Sequence, residues 1–196
     1  MLQGKGIAIR RISDEAECRH LYEVYNDLAE RAPTDHDETF VIEPKLAAFR
    51  EHGFWTPEKG LMLVVDQTDA MVGTVSFLRT TSLEFDVGYR VLRTADRRRG
   101  MMTEAIMLLS TYLFARFLEI TRLQIRTAHD NEPSIRIAQR CGFTREGVLR
   151  KAYSYRGHLC DLIVFGLLRE ESVPMEQQSI EPIAGEGEVG TKGGHS

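Results

Sequence analysis

The run from Gly88 to Phe117, GYRVLRTADRRRGMMTEAIMLLSTYLFARF, limits the possible folds more than any other part of the chain. A strand-like stretch enters a loop of three arginines and a glycine, and that loop opens onto the longest and most apolar helical segment, Gly100 to Phe117. A helix that is apolar nearly all round has to be buried. It therefore needs a sheet to lie against, and the rest of the chain supplies the strands.

KGIAIRRI, residues 5 to 12, alternates apolar and polar side chains and reads as the first strand. Cys18, Leu21, Tyr25 and Leu28 then recur at helical spacing, with Asp14 and Glu17 placed as a capping box. Pro44 opens a second, short helix through Leu46 and Phe49, which Gly53 closes. GLMLVVDQ and MVGTVSFLR, separated by Thr68 to Ala70, predict a hairpin. SLEFDVGYRVL is the next strand, with Phe85, Val87, Tyr89 and Val91 on one face and Glu84, Asp86, Gly88 and Arg90 on the other; Gly88 within it predicts a bulge or a close backbone approach. TRLQIRT follows the apolar helix as a strand. NEPSIRIAQRCGF is a short helix, with Pro133 in its first turn, Gly142 as its left-handed stop and Phe143 folding back. GVLRKAYSYRG and HLCDLIVFGLL are the last two strands. The expected architecture is α/β (α+β), a central, mostly antiparallel mixed sheet of about seven strands flanked by four helices.

At 196 residues this is one domain, expected over residues 1–171, with an acidic, Gly-rich and disordered tail over 172–196. No apolar run reaches the ~18 residues of a membrane span, and MLQGKGIAIR is not a signal peptide, so a cytoplasmic protein with no membrane partner is expected. Cys18, Cys141 and Cys160 lack the spacing of a zinc or redox motif and are expected to be buried, reduced thiols. The net charge of −4 is uneven: the tail carries four Glu and one Lys, leaving residues 1–171 close to neutral at −1. Against that background Arg93, Arg97, Arg98 and Arg99 form a local cluster. A focused anion site fits this better than a nucleic-acid surface, which needs a broad basic face.

A helix N-terminus offers about four unpaired N–H groups and roughly half a positive charge, and Gly100 lets its backbone approach a ligand closely. With flanking guanidinium groups the natural guest is a phosphate or pyrophosphate; the alternative is a solvated basic turn. Neither G-x-G-x-x-G nor G-K-[ST] is present, which argues against NAD and ATP.

RRRGMM resembles the R/Q-x-x-G-x-G/A motif of the GNAT superfamily of N-acetyltransferases at Arg97 and Gly100, and departs from it at Met102, where Gly or Ala is usual. DVGYRVL before the loop, TEA after it, then N-E-P-S, A-Q-R-C-G-F-T-R-E-G and G-H-L-C-D in order resemble the RimJ/RimL-like branch, over roughly residues 5 to 170. The resemblance implies acetyl transfer from acetyl-CoA to a primary amine by direct attack in a ternary complex, the amine being a protein N-terminal α-amine or a small molecule. It implies that the loop Arg97, Arg98, Arg99, Gly100, Met101, Met102 and Thr103 holds the pyrophosphate. It further implies that Tyr89, Val91, Leu92 and Arg93 line the pantetheine arm, that Asn131 contacts that arm, and that Ser134 lies near the thioester sulfur. Several relatives are dimers, which leaves a homodimer open. A non-catalytic CoA-binding module with the same fold is the alternative.

Acetyl transfer needs a neutral amine, a donor for the oxyanion and a proton for the thiolate. A backbone N–H near Tyr89 to Val91 serves the second need. Glu84 and Asp86 are the candidate bases, with the solvent face of a strand as their ordinary alternative. A carboxylate pKa of ~4 against ~10 for a lysine-like amine or ~8 for an α-amine makes transfer uphill unless burial raises the former. Ser134 is the candidate acid, with Tyr153 and Tyr155 as substitutes, and Asp161 an orienting or structural residue. Asp35, His36, Asp37 and Glu38 read as a solvated loop, and no metal site is expected; the resemblance implies that this connection borders the acceptor pocket, where its acidity hints at a cationic acceptor. Trp55 is expected in the core.

Overall fold

The computed structural model describes residues 1–31, 39–155 and 158–172. The Asp35 to Glu38 loop and all of the tail beyond Ser172 lie outside the described residues. The elements run β1 (Leu2–Gln3), β2 (Ile7–Arg10), α1 (Glu15–Asn26), α2 (Ile42–His52), β3 (Lys59–Asp66), β4 (Met71–Thr81), β5 (Glu84–Val91), α3 (Met101–Arg116), β6 (Arg122–Ala128), α4 (Glu132–Arg140), β7 (Thr144–Tyr155) and β8 (His158–Leu168). They form one eight-stranded sheet in the order β1-β2-β3-β4-β5-β6-β8-β7. The strand beyond the expected seven is β1. It has two residues, too few to show an alternation, and Gly4 to Gly6 turn it back onto β2, where Leu2 pairs with Ile9. The Glu104 carboxylate accepts the Lys5 and Gly6 amides of that turn.

Local signals place the helices. Asp14 caps α1, its carboxylate accepting the Glu17 amide at 2.8 Å, while Glu17 reaches back to the Ser13 amide at 2.8 Å. Gly53 ends α2 in the left-handed region at φ 58°. At the end of α4 the Phe143 amide donates to Ala138 O and the Gly142 amide to Gln139 O, with Gly142 at φ 84°, a Schellman closure that buries Phe143.

α3 and α4 cover one face of the sheet and α1 and α2 the other. β3 is therefore buried on both sides and reads as a continuous apolar run, Leu61 to Val65. Ten of the sixteen residues of α3 are buried, including Met101 and Met102. Trp55 packs edge-on to Phe77, centroids 5.1 Å apart, in the same core. Cys18, Cys141 and Cys160 are buried, free thiols.

The only parallel pairing among the described residues positions the site. β5 and β6 pair over Glu84, Asp86 and the residue between, opposite Arg122 to Gln124, and no further. Beyond that point β5 stays with β4 as far as Val91, and β6 stays with β8 as far as Ala128. The sheet thus splits between its two halves, leaving the β6 side of residues 87–91 without a strand partner.

Candidate active site

The split is a cleft of about 280 Å³. Val87, Gly88 and Tyr89 form one wall, Ile125 to Ala128 of β6 the other; Asn131, Ser134, Tyr153 and Leu162 also line it. Asn131 caps α4, its side-chain oxygen accepting the Ser134 amide at 3.3 Å, which fixes where Ser134 stands. The Tyr89 hydroxyl donates to Ser134 O at 3.4 Å, and burial pushes its pKa up to about 12. The side chain of Tyr155 lies outside the described residues.

Gly88 occupies regular register opposite Ser76; the only shift in the β4–β5 pairing falls at Arg79 to Thr81. The bulge expected at Gly88 is therefore absent, and what comes close is a side chain and not backbone: a Cβ there would stand 2.7 Å from Ser76 Oγ. Ser76 and Gly88 belong to a second, larger cleft of about 630 Å³ on the α1–α2 side of the sheet. Its floor is β3, β4 and β5, and its roof carries Tyr22, Lys45, His52 and Phe54. Gly88 is the residue common to both clefts, so β5 separates them at its thinnest point.

The two candidate carboxylates part company here. Asp86 lines the larger cleft and is held by Arg126, whose Nε donates at 2.7 Å. Burial pushes its carboxyl above the ordinary value, with the Arg126 charge offsetting part of the rise. Glu84 lines neither cleft. Its carboxylate accepts from Thr80 Oγ1 at 2.6 Å and from Arg122, which also binds Glu146. Asp161, further along the sheet, accepts the Lys151 amide at 2.9 Å where β7 is irregular.

The basic loop is more committed than its composition suggests. Arg97 donates to Glu30 O at 2.6 Å, tying the loop to the turn that follows α1, and Arg99 pairs with Asp96 at 3.0 Å. Arg98 and Gly100 are both left-handed, at φ 63° and 78°, which turns the backbone into the start of α3. Leu92 is buried and its amide donates to Val72 O, whereas Arg93 is exposed. Nothing lies within 4 Å of where a Gly100 Cβ would be, and the amides of Met101 to Thr103 have no acceptor one turn earlier in the helix. Met102 points inward, not into the loop: its thioether packs where Gly73 of β4 has no side chain. The bulky residue is thus absorbed by the core, and an open cradle of amides remains for an anion. Among the described residues no three His, Cys, Asp or Glu side chains form a metal-binding group.

The acetyltransferase (GNAT) domain family matches residues 7–144. The chain belongs to the GNAT acetyltransferase family. Its relatives include the "Probable N-acetyltransferase YjcK" of Bacillus subtilis, 27% identical over 87% of this chain and 98% of that protein. The "Uncharacterized N-acetyltransferase p20" of Bacillus licheniformis is 30% identical over 56% of this chain, and the match spans 61% of that protein's length. Among solved structures, the Salmonella typhimurium acetyltransferase that modifies the N-terminal serine of a 50S ribosomal subunit protein superposes with a TM-score of 0.70. At 21% identity, over 84% of this chain and 96% of that one, the likeness is one of GNAT fold.

Proposed function

We propose that this protein transfers an acetyl group from acetyl-CoA to a primary amine, and that it does so as a cytoplasmic enzyme of the RimJ/RimL-like branch. The observation that carries this reading is the meeting of two clefts at Gly88: one lies along the unpaired edge of β5, the strand that leads into the basic loop and α3, and the other is large enough for a small molecule or short peptide. Three reduced cysteines agree with a reducing compartment.

Acetyl-CoA supplies an activated thioester. The Arg98 to Thr103 amides and the N-terminus of α3 bind its pyrophosphate, where partial positive charge and N–H groups converge. The unpaired edge of β5 from Val87 to Val91 accommodates the pantetheine arm as a further strand would, and a backbone N–H there is positioned for the carbonyl oxygen. Asp86 takes the proton of the amine from the acceptor side. Its raised pKa narrows the gap to an α-amine, for which the transfer is less uphill than for a lysine-like amine. Ser134 gives the proton to the departing thiolate, with Tyr153 the second hydroxyl in that cleft.

Release of free thiol from acetyl-CoA, measured against a panel of amines, tests the reading. Ser134→Ala is expected to lower turnover about 10²-fold, the low end for removal of a general acid, while acetyl-CoA binding stays within a few-fold. Amine-independent or absent thiol release would overturn the reading; an unaffected Ser134→Ala variant would move the acid to Tyr153.

A further inference from the structure

We infer that the acceptor is an N-terminal peptide with an acidic side chain at its second or third residue; this rests on the acetyltransferase reading above. The evidence is the row of side chains across the larger cleft. Lys59 of β3 stands opposite Leu78 of β4, which stands opposite Asp86 of β5, and the next row on the same face is Leu61, Ser76 and Gly88. Cross-strand partners project to one side, so these residues form a single floor. Two strand spacings separate Lys59 from Asp86, about 10 Å. The floor between the ends is apolar or small.

The two ends differ in charge. At the Gly88 end, where an amine has to sit to reach the other cleft, the carboxylate is Asp86, itself paired with Arg126. At the far end Lys59 is exposed, and Lys45 of α2 lines the same cleft from the roof, its ammonium 5.5 Å from the Tyr22 ring and 5.0 Å from the Phe40 ring. His52 lines the same roof, one helical turn beyond Ala48. Its Nδ1 accepts the Phe54 amide at 3.1 Å, so the neutral ring keeps its proton on Nε2 as a donor. Nearby carboxylates are engaged elsewhere: Glu58 pairs with Arg79 at 3.1 Å and Glu43 with Arg19 at 3.0 Å. Among the described residues the lining thus presents two ammonium groups, Lys45 and Lys59, whose carboxylate neighbours are paired.

An extended peptide advances about 3.3 Å per residue. With its amine at Gly88, the side chains of residues two and three fall along the floor towards Lys59 and Lys45. An acidic side chain there meets two ammonium groups; a basic one meets the same two as like charges. Exposed and half-exposed pairs of this kind change affinity by up to about fivefold each, so two of them together favour acidic over neutral peptides by up to about 25-fold, and basic peptides fall below neutral ones.

The experiment compares kcat/KM for Ser-Glu-Glu-, Ser-Ala-Ala- and Ser-Lys-Lys-initiated peptides of equal length and for spermidine, using the full chain and a Lys45→Glu, Lys59→Glu double variant. The expected order is acidic, neutral, basic in the unaltered chain, and the reverse in the variant, with acetyl-CoA binding unchanged in both. Equal rates for all peptides, spermidine or the basic peptide as the better substrate, an order the double variant does not alter, or no turnover of any peptide although acetyl-CoA binds would each overturn the inference. Failure to bind acetyl-CoA at all would instead overturn the reading on which it rests.

Discussion

Asp86 and Glu84 stand on the same face of β5, two residues apart, and differ in what β6 brings to them. Arg126 meets Asp86 beside the larger cleft, while Arg122 ties Glu84 into a chain of ion pairs at the closed end of the sheet split. The two neutral isosteres separate these roles. Because burial holds the Asp86 pKa above its unfolded value, folding favours the protonated form. The stability from that preference is present below the unfolded carboxylate range and is lost as pH rises through the raised value. Asp86→Asn is therefore expected to leave stability at pH 7 unchanged or slightly higher while lowering turnover about 10²-fold. In the unaltered chain kcat/KM should fall as pH drops through the same value. Glu84→Gln is expected to do the opposite, costing about 1 kcal/mol of stability through a lost charge-assisted bond while turnover stays within about threefold. Urea unfolding alongside a thiol-release assay reads both outcomes. From the alternation along β5 the two carboxylates are equivalent; what distinguishes them is the register with a strand nearly forty residues later, which no local pattern carries. Likewise the loop arginines stand out in the sequence as an anion site, but the engagement of Arg97 with Glu30 O depends on how the turn after α1 docks.

Among the elements, those with end signals were legible. Asp14, Gly53, Gly100 and Gly142 mark helix ends in the sequence and stand at helix ends in the fold, because capping is decided within a few residues. β1 escaped notice because its one buried side chain, Leu2, gives no period to read. The end of the β5–β6 pairing was invisible for a different reason, since it follows from α3 and α4 lying beneath diverging strands. The C-terminus of α3 is closed by another long-range contact. Arg169 donates to Phe114 O at 2.6 Å, Phe117 O at 2.7 Å and Ile120 O at 2.9 Å, satisfying carbonyls that a helix end leaves open. Arg169→Ala is expected to lower stability by about 2–3 kcal/mol, because hydrogen bonds from a charged donor are lost and part-buried carbonyls are left unmet. Chemical denaturation should show this as a lower midpoint with an unchanged slope, and a changed slope would mean that more than the helix end has loosened.

At the scale of the whole molecule, both clefts and the helix N-terminus depend on one rigid arrangement: α3 buried along the sheet, its first turn fixed between the Glu104 contact to the β1–β2 turn and the Met102 contact at Gly73. A ligand that bridges the α3 N-terminus and the open edge of β5 binds the folded chain and not the unfolded one. At 100 times its dissociation constant it adds about 2.7 kcal/mol of stability, which for a domain of this size raises Tm by about 5–10 °C. Acetyl-CoA and CoA are both expected to produce this shift, since the pyrophosphate and pantetheine are common to the two. Gly100→Glu is expected to abolish it. At φ 78° any side chain strains the backbone, and nothing within 4 Å blocks the added carboxylate, so it projects into the space a phosphate would take. Gly100→Ala separates the two effects: it introduces the same backbone strain without charge, so it should lower the melting temperature of the free protein while retaining most of the acetyl-CoA shift. If Gly100→Ala and Gly100→Glu lose the shift equally, backbone conformation governs binding; if neither loses it, the pyrophosphate does not sit at the α3 N-terminus.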